Sequence, residues 1–195
     1  MLYDRTVNRT VRQAQLFDQL VELFLGDGFA TLTIDALAGR LRCSKSTLYA
    51  LAGTRDELVR AVVVHFFRRA TERVEAGLAD ADGPRARLVA YLEGVAAQLK
   101  PASAAFFDDV AASPAAREIY ERNTAAAARR VEQLVAEGVA SGAFRPVHVG
   151  FVGDLISAAM VRIQQRRVAA ATGLDDSAAY AELAGLVVDG LAPRP

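Results

Sequence analysis

Few residues in this chain of 195 are equipped for chemistry, and their spacing narrows what they can do. The two histidines, His65 and His148, stand far apart, and neither belongs to a spaced metal-ligand or nucleophile motif. No glycine-rich phosphate loop follows a strand pattern. Asp108 and Asp109 are neighbours, so on a helix their carboxylates diverge and do not make an acid–base pair. The lone Cys43 excludes an intramolecular disulfide and a multi-cysteine metal site. With only Arg42 and Lys45 nearby to lower its pKa, it reads as a small hydrophobe rather than a redox sensor. An enzyme, a metal and a cofactor are therefore not expected. What remains is a polar, basic stretch containing Arg42, Ser44, Lys45, Ser46, Thr47 and Tyr49, whose chemistry is hydrogen bonding and charge pairing with phosphates or base edges.

The surrounding pattern dictates how these residues are held. Phe17, Leu20, Val21, Phe24 and Leu25 form the apolar stripe of an amphipathic helix, stopped by Gly26 and Gly28. Thr33 is a good N-cap for a short helix with Ile34, Leu37, Ala38 and Leu41 inward. After a break at Arg42 and Cys43, Ser44 can cap a second short helix that buries Leu48 and Leu51. This is the spacing of a helix-turn-helix over about 33–51, in which one helix crosses the DNA backbone and the next enters the major groove. With Leu48 inward, Lys45, Ser46, Thr47, Tyr49 and Ala50 face outward. Thr54 and Glu57 then have the spacing of a capping box, opening a longer helix through Val62 and Phe66 towards Leu78.

Beyond the break at Ala79 to Pro84, Leu88, Tyr91, Leu92, Val95 and Leu99 give another helical stripe. Ser113 and Pro114 start a helix through Ile119, Val131, Leu134 and Val135, and further helices are expected over about 147–171 and 177–191. A 52% hydrophobic composition with no Trp, abundant Ala and no period-two alternation predicts an all-α protein. Its zero net charge excludes a histone-like binder, so contact with nucleic acid must be local. Arg5, Arg9 and Arg12 form a basic N-terminal arm that reads equally as a minor-groove or phosphate tracker and as a frayed, solvated end. The most apolar run, Ala61 to Phe67, is far short of the ~20 residues needed to span a bilayer, so a cytoplasmic protein is expected.

The stretch TIDALAGRLRCSKSTLYALAGTRDEL, from Thr33 to Leu58, resembles the tetracycline-repressor (TetR) family of transcriptional regulators. The family pattern runs Thr-Val, Ile-Ala, Val-Ser-Lys-Gly-Thr-Leu-Tyr and Lys-Glu-Glu-Leu. Arg42 stands where the family usually has Gly, Ser46 replaces a frequent Gly, and Ala52 replaces a common aromatic. The resemblance covers about residues 10–66. It implies a DNA-binding domain at 1–53 and an effector-binding and dimerisation domain at 54–195, with 54–78 as connecting helix. It also implies a repressor that binds a palindromic operator in double-stranded DNA as a homodimer and answers to a small hydrophobic effector. Thr33 would meet a phosphate, Lys45, Thr47 and Tyr49 would lie on the DNA, and Arg55 would approach its backbone. With the basic and capping residues of the turn, the DNA-binding set is Thr33, Arg42, Ser44, Lys45, Ser46, Thr47, Tyr49 and Arg55.

For the larger domain, His65, Phe66, Tyr91, Phe106, Phe107 and Tyr120 are the pocket candidates, with His65 as a polar handle. The adjacent Phe106 and Phe107 rank first, because successive helix residues do not comfortably face one core. Leu155, Ala158, Ala159, Leu183, Leu186, Val187 and Gly190 are the candidates for a dyad packed as a four-helix bundle. The competing reading is a helical adaptor that keeps the fold without an operator.

Overall fold

The structure is a computed structural model that describes residues 2–193, with side chains from residue 11 onward; the side chains of Arg5 and Arg9 lie outside the described residues. Regular structure among the described residues is helical throughout, in ten helices. None of these helices is long and apolar enough to cross a membrane.

The chain divides into two compact units, Met1–Arg68 with Ala102–Ile119, and Arg69–Pro101 with Tyr120–Pro195. Packing is thus not divided at the 53/54 boundary, because residues 54–68 and a distant segment join the N-terminal helices in one core.

The first unit opens with α1 (Leu2–Asp27), whose stripe buries Leu20 and Phe24 completely. The helix ends where Gly28, at φ +76°, donates its N–H to the Phe24 carbonyl at 2.9 Å. Gly28 is required twice over, since a Cβ there would stand 2.6 Å from the Asp109 carboxylate and 3.2 Å from the Ala105 backbone. Next come α2 (Ile34–Arg40) and α3 (Lys45–Tyr49), then α4 (Arg55–Gly77), which continues into the second unit. The expected capping box is formed: Glu57 N–H donates to Thr54 Oγ1 at 3.1 Å and Thr54 N–H to Glu57 Oε2 at 3.0 Å.

The segment 102–119 contributes α6 (Ala104–Ala112), capped by Ser103, whose own N–H donates to the Leu25 carbonyl of α1 at 2.7 Å. Phe106 packs edge-on against Phe29 and Phe66, with ring centroids 6.2 and 5.9 Å apart, and Phe24 lies 5.3 Å from Phe29. The adjacent Phe106 and Phe107 are both buried, although successive helix positions do not comfortably face one core. Protein covers α6 on more than one side, so neighbouring positions find separate apolar surroundings.

The second unit contains the rest of α4, α5 (Gly83–Leu99), most of α7 (Pro114–Ala140), α8 (Val149–Gln164), α9 (Arg167–Thr172) and α10 (Asp176–Leu191). The most extensive packing here is α10 on α5. Arg130 forks onto Glu75 at 3.0 and 3.3 Å, and Arg87 meets Glu137 at 3.0 Å, so α7 is tied to both α4 and α5. The single helix expected over 147–171 is broken. Arg166 adopts φ +59° and ends α8, its N–H donating to the Ile163 carbonyl. No Gly or Pro announces this break, since the residue in the left-handed position is an arginine.

Candidate nucleic-acid interface

The geometry of the recognition element follows from two hydroxyl caps and one strained turn. Thr33 Oγ1 accepts the Ala36 N–H at 3.1 Å, and Ser44 Oγ accepts the Thr47 N–H at 3.1 Å, so each short helix has its first turn satisfied. Ser44 Oγ also lies 2.7 Å from Ser46 Oγ and 2.8 Å from Thr47 Oγ1, linking three hydroxyls at the start of α3. Between the helices, Arg42 N–H donates to Gly39 O at 3.3 Å and Cys43 N–H to Ala38 O at 3.0 Å, the paired bonds of a Schellman motif with Arg42 at φ +51°.

Arg42 thus occupies a backbone conformation that glycine enters without cost and an L side chain resists by roughly 1–2 kcal/mol. Arg42→Gly is expected to raise stability by about 1 kcal/mol, or about 2–4 °C in melting temperature. If the guanidinium neutralises a phosphate, the same variant lowers DNA affinity and reduces the salt slope by about one. Thermal unfolding and a salt titration of DNA binding check the two effects separately; a fall in stability would contradict the strain argument.

Leu48 is wholly buried and turns the opposite side of α3 outward. Lys45, Ser46, Tyr49 and Ala50 are exposed, Thr47 is half-buried, and the Tyr49 ring remains 49% exposed. Lys45 Nζ is ion-paired with Asp35 of α2, and Arg40 with Asp27, so phosphate would compete with a carboxylate for each cation. Exposed pairs of this kind are worth little, which keeps these cations available.

Arg55 departs from the expected role at the DNA backbone. Its Nε donates to Leu32 O at 3.0 Å, and its Nη2 to Phe29 O at 2.6 Å and Ala30 O at 2.9 Å. The guanidinium is committed within the protein because the loop from Gly28 to Leu32 has carbonyls that no helix satisfies. The opposite side of that loop is held by Asp109, whose Oδ2 accepts the N–H of Phe29 at 2.5 Å and of Ala30 at 2.7 Å. The loop leading into α2 is therefore clamped by an arginine on its acceptors and an aspartate on its donors. Along the sequence Asp109 is only one of two neighbouring acids whose carboxylates diverge; an 80-residue separation closed by the fold makes the clamp.

The pocket candidates do not form one cluster within either unit. His65, Phe66, Phe106 and Phe107 belong to the first, whereas Tyr91 and Tyr120 belong to the second. His65 is not a free polar handle: its Nε2 lies 2.7 Å from Asp18 Oδ1, Arg68 Nη2 lies 3.1 Å from its Nδ1, and its ring stacks on Phe17. Arg68 is a donor only, so Nδ1 accepts and the Nε2–H faces Asp18. His148 caps α8, its Nδ1 accepting the Phe151 N–H at 3.1 Å. Burial pushes the Cys43 thiol up, against a weaker opposing pull from Arg12, which leaves it the less reactive thiol form. No group of His, Cys, Asp or Glu suited to a metal occurs among the described residues.

On α8 and α10 the dyad candidates lie on outward faces. Leu155 is 59% exposed, Leu186 74%, Ala158 and Gly190 are exposed, and Ala159, Leu183 and Val187 are half-buried. Phe151, one turn before Leu155 and 65% exposed, extends the same apolar stripe. The i, i+4 spacing of Phe151 and Leu155 was the signal that would have found it.

These features define an all-helical protein with an N-terminal helix-turn-helix and a second helical unit. No family model matches the sequence, and no curated protein matches it. Solved structures do match the fold. A protein from Saccharomonospora viridis assigned as a transcriptional regulator and solved in complex with choline is 16% identical, with 95% of this chain and 100% of that one covered and a TM-score of 0.74. A TetR transcription regulator from Haloarcula marismortui is 18% identical over 94% and 100%, with a TM-score of 0.72. A TetR-family regulator from Thermus thermophilus is 20% identical over 92% and 97%, with a TM-score of 0.59. The fold is that of the TetR-type regulators.

Proposed function

We propose that the protein is a cytoplasmic, ligand-responsive transcriptional repressor that binds a palindromic operator as a homodimer. The observation that carries this reading is the outward face of α3, where Lys45, Ser46 and Tyr49 are exposed around a fully buried Leu48. A short helix held by Ser44 and braced from below presents a polar, cationic edge of the size a major groove admits. Thr33, Arg42, Ser44 and Thr47 flank that edge as phosphate or base partners, while Arg55 acts indirectly by holding the loop before α2.

One such helix binds weakly by itself, and the exposed apolar faces of α8 and α10 support a twofold pairing that doubles the contact. The 1–53 segment then serves as DNA-binding domain and 54–195 as effector and dimerisation domain. A TetR-fold neighbour solved with choline supports a small-molecule effector. Effector binding would shift the equilibrium between two spacings of the recognition helices, with α4 as the continuous element.

Selection from a random DNA pool at near-physiological salt tests the reading. An enriched inverted repeat is expected, and Tyr49→Ala should weaken its binding at least about tenfold with the circular dichroism spectrum unchanged. A folded protein that enriches no sequence would favour an adaptor that has kept the fold without the operator.

A further inference from the structure

The outward edge of α3 carries an acid where phosphate binding alone would call for none. Asp35, in the first turn of α2, is ion-paired with the ammonium of Lys45, the first residue of α3, and both side chains are more than half exposed. A carboxylate at this edge is repelled by the phosphates of a duplex. The pair is also too open to water to hold the two helices together with much force, and buried Leu37, Ala38 and Leu48 are there to do so. Its chemistry suits what it would meet inside a groove.

Residues at the start of a recognition helix reach base edges in the major groove, which is where Lys45 stands. Asp35 enters with it, because the two are bonded. Ser46 and Thr47 turn their hydroxyls onto Ser44 Oγ, at 2.7 and 2.8 Å, so the charged pair is the strongest donor and acceptor at this end of the helix.

The two charges select the base pair. A carboxylate only accepts, so it needs an amino group, which cytosine N4 and adenine N6 supply. An ammonium only donates, and it gains most from two adjacent acceptors, which guanine offers at O6 and N7. A G·C pair presents both at once, with guanine O6 beside cytosine N4 as the ammonium is beside the carboxylate. In an A·T pair the amino group stands between adenine N7 and thymine O4, so the ammonium engages only one acceptor. We propose that Lys45 and Asp35 together read one G·C pair in each half-site, Lys45 donating to guanine O6 and N7 and Asp35 accepting from cytosine N4. The inference rests on the operator reading above and names a base pair that the operator must contain.

Selection from a random DNA pool by wild type, Asp35→Ala, Asp35→Asn and Lys45→Ala tests it, with circular dichroism confirming that each variant is folded. The wild-type site should hold a fixed G·C pair in each half, and changing that pair to A·T should weaken binding about tenfold. Inosine·cytosine, which keeps O6, N7 and N4 in the major groove, should bind within about twofold of G·C. Asp35→Ala and Lys45→Ala should each lose most of the preference at that pair and keep it elsewhere. Asp35→Asn, whose amide pairs with adenine N6 and N7, should move the preference towards A·T. A G·C preference undiminished in Asp35→Ala, or a relaxed position that is A·T in the wild-type site, would overturn the inference and retain the regulator. Lys45→Ala weakening every sequence alike, with the salt slope reduced by about one, would assign Lys45 to a phosphate and overturn it too. A folded wild type that enriches no sequence would remove operator binding itself, and this contact with it.

Discussion

Asp109→Ala is expected to lower the melting temperature by about 4–12 °C, corresponding to about 2–3 kcal/mol, and to weaken DNA binding although Asp109 is far from α3 in sequence. The carboxylate accepts two backbone N–H groups, those of Phe29 and Ala30, and bonds to an ionised acceptor are stronger than neutral ones. Removing it leaves the part-buried Phe29 N–H with nothing in its place. Phe29 also packs between Phe24 and Phe106, so freeing its backbone loosens the aromatic contacts of α1 and α6 together.

Arg55→Ala removes the complementary grip on the Phe29, Ala30 and Leu32 carbonyls. Because both side chains restrain one loop, the double variant should lose less than the sum of the single losses, with a coupling of about 1 kcal/mol. Denaturant unfolding of the four proteins measures that cycle. An unchanged melting temperature for Asp109→Ala would mean that water replaces the carboxylate fully, and the clamp would have no energetic role.

Leu155→Arg is expected to convert a dimer to monomers, with association weakened at least about a hundredfold, or about 3 kcal/mol. At a dyad the substitution acts twice, placing two like charges in an apolar interface. Since Leu155 is 59% exposed in the single chain, the monomer itself should keep its fold and its melting temperature to within a few degrees, about 2–4 °C. Sedimentation at several concentrations distinguishes the outcomes. A dimer that persists would move the interface away from the Phe151–Leu155–Ala158 stripe. Loss of DNA affinity in parallel with dimer dissociation would tie operator recognition to the twofold pairing.

Much of the first unit could be read from local signals. Thr33, Ser44 and the Thr54–Glu57 box cap their helices as their spacing requires, and Leu48 is buried as the turn-by-turn pattern demands. These are interactions among residues three or four apart, so sequence carries them directly. Even the odd position in the turn was visible, because Arg42 stands where a left-handed conformation favours glycine. Arg55 and His65 were legible as positions but not in their roles. Arg55 binds the Leu32 carbonyl 23 residues away and His65 meets Asp18 47 residues away, and nothing local distinguishes a cation aimed at DNA from one aimed at a carbonyl.

The sequence by itself determined an all-helical chain, the places where its first helices start and stop, and the outward residues of α3, because caps and the 3.6-residue period act within a single turn or two. Tertiary structure decided that α6 joins the N-terminal unit, that Asp109 and Arg55 grip one loop from opposite sides, and that Asp176, Arg166, Tyr120 and Tyr180 meet in the second unit. Those associations depend on which distant surfaces bury one another, a choice made by the packing of whole helices rather than by any pattern along one of them.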